Sequence, residues 1–251
     1  MIRSFFCALA FLVFLIWTIP VQLLVFLLRL LRLNRAANAI AYVIAKYFLF
    51  WPLKIFAGVK LEVRGREYLP TSSDPAVLFV GNHCSYFDII LSYCAFKTCA
   101  GYVGKKELGR VPLLGSWMIA IGCILLDRSN IKDGIRMADT AAKHISEGIS
   151  MVIFPEGTRN RHEDEYLVGE FHGGALRIAQ KALCKVVPMT ISGSADVFEK
   201  HFPIIKSSRV IIEFSEPIDA SKLERSQIKA LAATTRDIIL KVREQHVKEL
   251  G

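Results

Sequence analysis

The segment Asn82-His83-Cys84-Ser85-Tyr86-Phe87-Asp88 sets a histidine and an aspartate five positions apart. A neutral imidazole can remove a proton near neutral pH, and a carboxylate on its other ring nitrogen fixes the tautomer and steadies the imidazolium that forms. Acyl transfer to a hydroxyl needs such a base. The spacing alone is weak evidence: with six histidines and nine aspartates, one His-x4-Asp arises by chance in about one such sequence in five. The competing reading is an ordinary polar His83 beside an Asp88 that caps a helix.

A second constellation, Phe154-Pro155-Glu156-Gly157-Thr158-Arg159, closes another apolar run. Arg159 offers a bidentate donor fork, Gly157 lets a ligand approach the backbone and Thr158 adds a hydroxyl, which together suit a phosphate. Alone, it reads equally well as a polar turn with an internal Glu156–Arg159 pair. A third block runs from Lys105 to Arg128, KKELGRVPLLGSWMIAIGCILLDR. Lys105, Lys106 and Arg128 could receive phosphates, and Leu113, Leu114, Trp117 and Ile121 could border an acyl channel. For Lys106, Trp117 and Ile121, solvated charge and core packing are the simpler assignments.

These residues need elements to hold them. Val59, Leu61 and Val63 alternate as a half-buried strand, and residues 65–74 read as a loop. The apolar run 76–80 ends in Gly81-Asn82, which predicts a buried strand stopping just before His83. Helical character follows over 88–96, and short apolar strands fit 101–104, 123–126, 150–154, 185–191 and 209–214. Ile131, Ile135, Ala138, Ala142 and Ile145 step by four and three, and 223–250 is a charged, amphipathic closing helix. Strands alternating with helices predict an α/β fold, a mixed, largely parallel sheet flanked by helices. Side chains just after its strands would gather at one sheet edge.

The chain has 251 residues, 53% of them apolar, and a net charge of +9. That composition excludes a disordered polyelectrolyte and allows a sizeable core. Residues 1–58 hold Arg3, Arg29, Arg32, Arg35, Lys46 and Lys54 and no acid, which leaves 26 basic against 23 acidic residues in the remainder. The excess charge therefore belongs to the most apolar part of the chain, and this disfavours nucleic acid as a partner. Residues 4–28 run without a charge, roughly 37 Å of helix, enough to enter a bilayer. A signal peptide is the alternative, but the run is too long and three arginines precede the Ala37-Asn38-Ala39 site. Those arginines place the downstream chain on the cytoplasmic side, the inner-membrane face if the protein is bacterial. Pro20 interrupts the run, so a kinked insertion that does not cross the bilayer stays open. Residues 36–58, with Ile40, Val43, Tyr47, Trp51 and Ile55 at helical spacing, read as a second, interfacial helix. The domain reading is a membrane-binding helical pair over 1–58 and a catalytic domain over 59–251. The six cysteines show no zinc spacing and imply a reduced compartment without disulfides.

The blocks, in this order, resemble the glycerolipid acyltransferase family typified by 1-acyl-glycerol-3-phosphate acyltransferases, from about Val59 to Pro217. NHCSYFD looks like its catalytic block, the Lys105–Arg128 segment its second, FPEGTRNR its third and VVPMTISG, Val186 to Gly193, its fourth. The resemblance implies His83 as general base and Asp88 as its orienting partner, with Glu156, Gly157 and Arg159 forming the acceptor-phosphate site. Thr158 and Lys105 join that site by their chemistry. Asn82, Gly122, Arg128 and Pro188 match supporting positions. The resemblance also implies a lysophospholipid acceptor in the membrane, acyl-CoA or acyl-carrier protein as co-substrate, and no metal or other cofactor. Two departures stand out. Phe171-His172-Gly173-Gly174 replaces the family's usual Phe-Lys-x-Gly, and an acidic insertion spans His162 to Glu165.

Other chemistries fit less well. No Gly-x-Ser-x-Gly elbow occurs, so Ser85 reads as a loop or cap residue. Tyr166 stands where a zinc hydrolase built on His162-Glu163 would need its second histidine. A membrane-anchored lipid-binding protein with the same fold and no activity is the non-enzymatic alternative. The oligomeric state is not legible.

Overall fold

The computed structural model describes residues 1–127, 131–160, 168–223 and 225–250. Arg128 and the acidic insertion lie outside them.

Four helices come first: α1 (Ile2–Trp17), α2 (Ile19–Leu30), α3 (Asn34–Ala45) and α4 (Trp51–Ala57), the last two joined by a π turn over Lys46–Phe50. Pro20 has no N–H, and its ring crowds the carbonyl four residues back, so the helix breaks at Thr18 and the two halves bend by 50°. The buried Thr18 hydroxyl bonds Phe14 O and accepts Trp117 Nε1–H at 2.8 Å, so the bend is tied to the domain behind it. α3, the π turn and α4 form one stretch, Asn34–Ala57, apolar and long enough to cross a membrane. The π turn aims Lys46 inward, where its ammonium bonds Phe96 O and, at 2.8 Å, the Tyr42 hydroxyl. Gly58, at φ 70°, ends α4, and β1 follows (Lys60–Arg64).

The remaining strands are β2 (Leu78–Gly81), β3 (Ala100–Lys105), β4 (Ile124–Leu126), β5 (Ser150–Ile153), β6 (Lys185–Ser192), β7 (Arg209–Phe214) and β8 (Ile218–Asp219). They form one sheet in the order β1-β7-β6-β2-β5-β3-β4, with β8 beside β6. β6, β2, β5, β3 and β4 run parallel, while β7 and β8 lie antiparallel to β6 and β1 follows β7. The mixed, largely parallel sheet matches the expectation. β8 was not foreseen, and it explains how a central strand tolerates Pro188. β6 pairs with β8 up to Val186 and with β7 from Met189, so the missing N–H falls at the changeover.

Alternation along the strands sorts the side chains between two apolar layers. Phe79, Val152 and Val187 face α1–α4, with α5 (Phe87–Ala95) and α6 (Leu114–Ala120). Leu78, Val80, Met151 and Val186 face α7 (Ile131–Ser146), α8 (Arg177–Ala182) and α9 (Arg225–Leu250). The first layer is continuous from Cys7 and Phe14 to Ile212 and Phe214, so the N-terminal helices form one wall of the core. Their outer faces carry exposed Phe5, Leu12, Ile16, Trp17, Phe26, Tyr47 and Ile55.

Candidate active site

β2 and β5 are neighbours, with Val80 opposite Ile153, so the residues leaving their carboxyl ends emerge side by side. Such an edge is where open α/β sheets place their ligands. His83 follows β2, and its Nδ1 lies 2.8 Å from Asp88 Oδ2 in the first turn of α5. The same oxygen accepts the backbone N–H of Cys84 (2.7 Å) and Ser85 (2.8 Å). Because the oxygen is an acceptor in both bonds, Nδ1 is the donor, and in the neutral ring that leaves the lone pair on Nε2. Among the described residues none bonds Nε2. Asp88 is fully buried, whereas the His83 side chain is 15% exposed, and its ring stacks on Phe154 at 4.3 Å between centroids. Burial pushes the Cys84 thiol up to about 11, so it remains a thiol at neutral pH and offers no rival nucleophile.

Backbone bonds fix the loop holding His83. Its N–H donates to Glu156 Oε1 at 2.7 Å and its carbonyl accepts Asn160 N–H, also at 2.7 Å. Gly169 N–H takes the other Glu156 oxygen at 2.9 Å. Burial raises the Glu156 pKa, partly offset by these two amides. The Glu156 side chain is thus engaged by two main-chain donors and braces the His83 turn. Asn82 is likewise a clamp, its amide bonding both Ile191 O (2.8 Å) and Ile191 N (2.9 Å) across to β6. Arg243 of α9 donates to that carbonyl at 2.7 Å, and Arg236 holds the carbonyls of Val168 and Gly169.

Gly157 (φ 72°), Thr158 and Arg159 form the turn after β5, beside His83. The Arg159 guanidinium lies 3.7 Å over the Tyr86 ring and pairs with Glu199 Oε1 at 3.0 Å. Glu199 also accepts Tyr86 N–H at 2.8 Å and the Ser85 hydroxyl. It comes from the loop after β6, and nothing in its sequence surroundings marked it. His172 is brought to the same turn: its N–H bonds Pro155 O at 3.1 Å, and a side chain on Gly157 would touch its ring. Thr158 is exposed. Lys105 is exposed at the carboxyl end of β3, on the same edge of the sheet, two strands from β2.

Gly122 is not brought to His83. It turns into β4 at φ 81° and lies against Gly101, level with Leu78 at the start of β2 and three strands across. There it borders an open cavity of about 410 Å³ with Arg29, Asn38 and His144. Pro188 is buried within β6 opposite Val80 and supports the sheet. Trp117 and Ile121 are buried in the core, and Lys106 pairs with Asp127 at 3.6 Å.

A buried carboxylate bonded to an imidazole, with a guanidinium on the adjoining strand end, is an arrangement suited to general-base chemistry such as group transfer. Comparison with known proteins specifies the group. Residues 60–192 match the family model described as Acyltransferase. A 1-acyl-sn-glycerol-3-phosphate acyltransferase of Borreliella burgdorferi is 31% identical over 185 residues, covering 74% of this chain and 72% of that one. The Helicobacter pylori protein of the same name is 31% identical over 180 residues, 72% and 66% of the two chains. For the Saccharomyces cerevisiae protein the values are 26% over 200 residues, 79% and 63%. The matched segment thus spans about two thirds of these relatives' own length. The crystal structure of the 1-acyl-sn-glycerophosphate acyltransferase from Thermotoga maritima shares the fold, with a TM-score of 0.79 over 97% of this chain and 94% of that one, at 21% identity. The chain belongs to the acyltransferase family. It is an O-acyltransferase.

Proposed function

We propose that the protein transfers a fatty acyl chain from acyl-CoA or acyl-carrier protein to the free hydroxyl of a lysophospholipid, 1-acyl-sn-glycerol-3-phosphate, giving phosphatidic acid. The observation that carries this reading is the His83–Asp88 contact of 2.8 Å beside a turn that presents Arg159. His83 Nε2 takes the acceptor's hydroxyl proton as its oxygen attacks the thioester carbonyl, and backbone amides stabilise the oxyanion. The tetrahedral adduct expels the donor's thiolate, which recovers the proton from the imidazolium. No acyl-enzyme forms, and no metal or cofactor takes part. Arg159 holds the acceptor phosphate with the side of its fork that Glu199 leaves open, and Lys105 adds charge at the rim. Residues 1–58 attach the chain to the membrane and 59–251 do the chemistry on the cytoplasmic face. A one-chain lipid then reaches the site from the leaflet and the donor from water.

The test is purified protein with labelled acyl-CoA and a panel of lysophosphatidic acid, glycerol 3-phosphate and other lysophospholipids. Lysophosphatidic acid is the expected acceptor, and His83→Ala is expected to abolish transfer while membrane attachment persists. A preference for acceptors without a terminal phosphate monoester would remove Arg159 from its role.

A further inference from the structure

Outside residues 1–58, the most exposed large apolar side chain among the described residues is Phe202, at 75%. It stands at the tip of a loop between β6 and β7, next to Ile204, which is 39% exposed. Single exposed apolar residues are ordinary; this pair is distinguished by its neighbour. Ile205 N–H donates to Ser4 Oγ at 2.9 Å, and the Ser207 hydroxyl donates to Gly58 O at 2.5 Å. The loop is therefore fastened to the first turn of α1 and the end of α4, where Ile2, Phe5, Phe6, Ile55 and Phe56 are all exposed. Inside, it is rigid: Ile204 N–H bonds His201 O at 2.7 Å and Lys206 N–H bonds Val197 O at 2.9 Å. Lys206 is exposed at its base, which suits an anionic surface.

We propose that this loop is a further contact with the bilayer, Phe202 and Ile204 entering the boundary between headgroups and acyl chains beside α1. The inference rests on the reading of residues 1–58 as the membrane-attached segment. A lipid surface is the occupant because the apolar tip extends a face that already points at lipid, with a basic rim where headgroups lie. The opposite sheet face offers a contrast: Leu183, 67% exposed, follows α8, which packs against α7. The loop opens with Glu199, which grips Ser85, Tyr86 and Arg159, so its seat in the bilayer also steadies the catalytic turn.

The experiment places a fluorophore at the tip. Phe202→Trp is made in the full chain carrying Trp17→Phe and Trp51→Phe, the signal of the buried Trp117 is subtracted with the same chain retaining Phe202, and both are bound to vesicles of phosphatidylcholine and phosphatidylglycerol with brominated acyl chains. The expected result is quenching of the residue 202 emission by the brominated chains and protection from aqueous iodide. Quenching of Trp17 and Trp51 in the unaltered chain, with residue 202 still open to iodide, would overturn this inference alone. No quenching in either chain would overturn the membrane reading beneath it. Phe202→Ser, at so exposed a position, is expected to leave the fold intact. It should lower transfer severalfold to an acceptor embedded in vesicles, and leave transfer to a dispersed short-chain acceptor unchanged. An equal loss with both acceptors would also refute the proposal.

Discussion

Asp88→Asn isolates what the carboxylate contributes beyond geometry. One Asp88 oxygen accepts from His83 Nδ1 and from two backbone amides, while the other is buried without a partner among the described residues. An asparagine can set its carbonyl oxygen in the first place and its amide nitrogen in the second, so the loop should keep its shape. The negative charge disappears, and with it the partner of an imidazolium that exists only while the acceptor proton is held. At 2.8 Å and an effective dielectric of about 20, that attraction is roughly 6 kcal/mol, and the neutral hydrogen bond that remains returns part of it. A net loss of about 3 kcal/mol corresponds to a fall in kcat of about a hundredfold or somewhat more. KM for the acceptor should change little, since no phosphate contact is touched. The assay is steady-state transfer of labelled acyl groups to lysophosphatidic acid, with melting temperature as the control for folding. An Asp88→Asn protein that keeps kcat within about threefold of wild type would refute the argument, because His83 would then be working without a counter-charge.

Asn82→Ala leaves the buried Ile191 N–H without its acceptor. It should cost about 2–4 kcal/mol, seen as a drop of roughly 5–10 °C in melting temperature by scanning calorimetry in detergent. Glu199→Ala unlatches Arg159 and the Tyr86 amide together, a partly buried pair at 20% and 19% side-chain exposure. The expected change is a rise of about tenfold in acceptor KM, larger than any change in kcat, measured with lysophosphatidic acid. Glu62 is held below the ordinary glutamate value of 4.5 by hydrogen bonds first from Arg209 and then from Arg64. Glu249 of α9 is held down in the same way by Arg64. A lowered folded-state value means that the unfolded chain takes up these protons first, so the stabilisation is present above pH 4.5 and is lost as pH falls through the folded values. Melting temperature measured across that acid range should fall less steeply in Arg64→Met than in wild type.

Much of the catalytic edge was readable because it depends on local order. An apolar run ending in Gly-Asn before His83, and another ending before Glu156, are strand-then-turn patterns, and both strands form where expected. Asp88 was readable for the same reason, being one helical turn from the loop it holds. The contacts that escaped are separated by long stretches of chain. Glu199 reaches Ser85 across 114 positions, and no periodicity reports that meeting. The two amide bonds of Glu156 were not foreseen, because a carboxylate next to Gly-Thr-Arg looks the same in sequence whether it faces a substrate or the main chain. Gly122 was drawn into the site by the block it belongs to. Gly122 itself makes the tight turn before β4, level with the start of β2, and only the far end of that parallel strand, Leu126 beside Lys105, returns to the edge that holds His83. The N-terminal helices show the sharpest limit. Hydrophobic residues on all sides of a helix suit lipid and protein alike, so Phe14 against Trp117 at 4.9 Å and Phe50 against Tyr93 at 4.6 Å could not be foreseen.

Those ring contacts bear on how the enzyme can be handled. A chain started at Val59 to obtain a detergent-free preparation would lose Phe14, Leu49, Phe50 and Leu53 from over the sheet. Phe87, Leu91, Tyr93 and Phe96 would then face water, a surface that self-associates. Tyr42 and Lys46 would leave with them, and the Phe96 carbonyl at the end of α5 would lose both its side-chain donors. α5 begins one residue before Asp88. Whatever loosens its far end reaches the carboxylate bonded to His83, so the N-terminal helices and the His83–Asp88 pair are coupled through one helix.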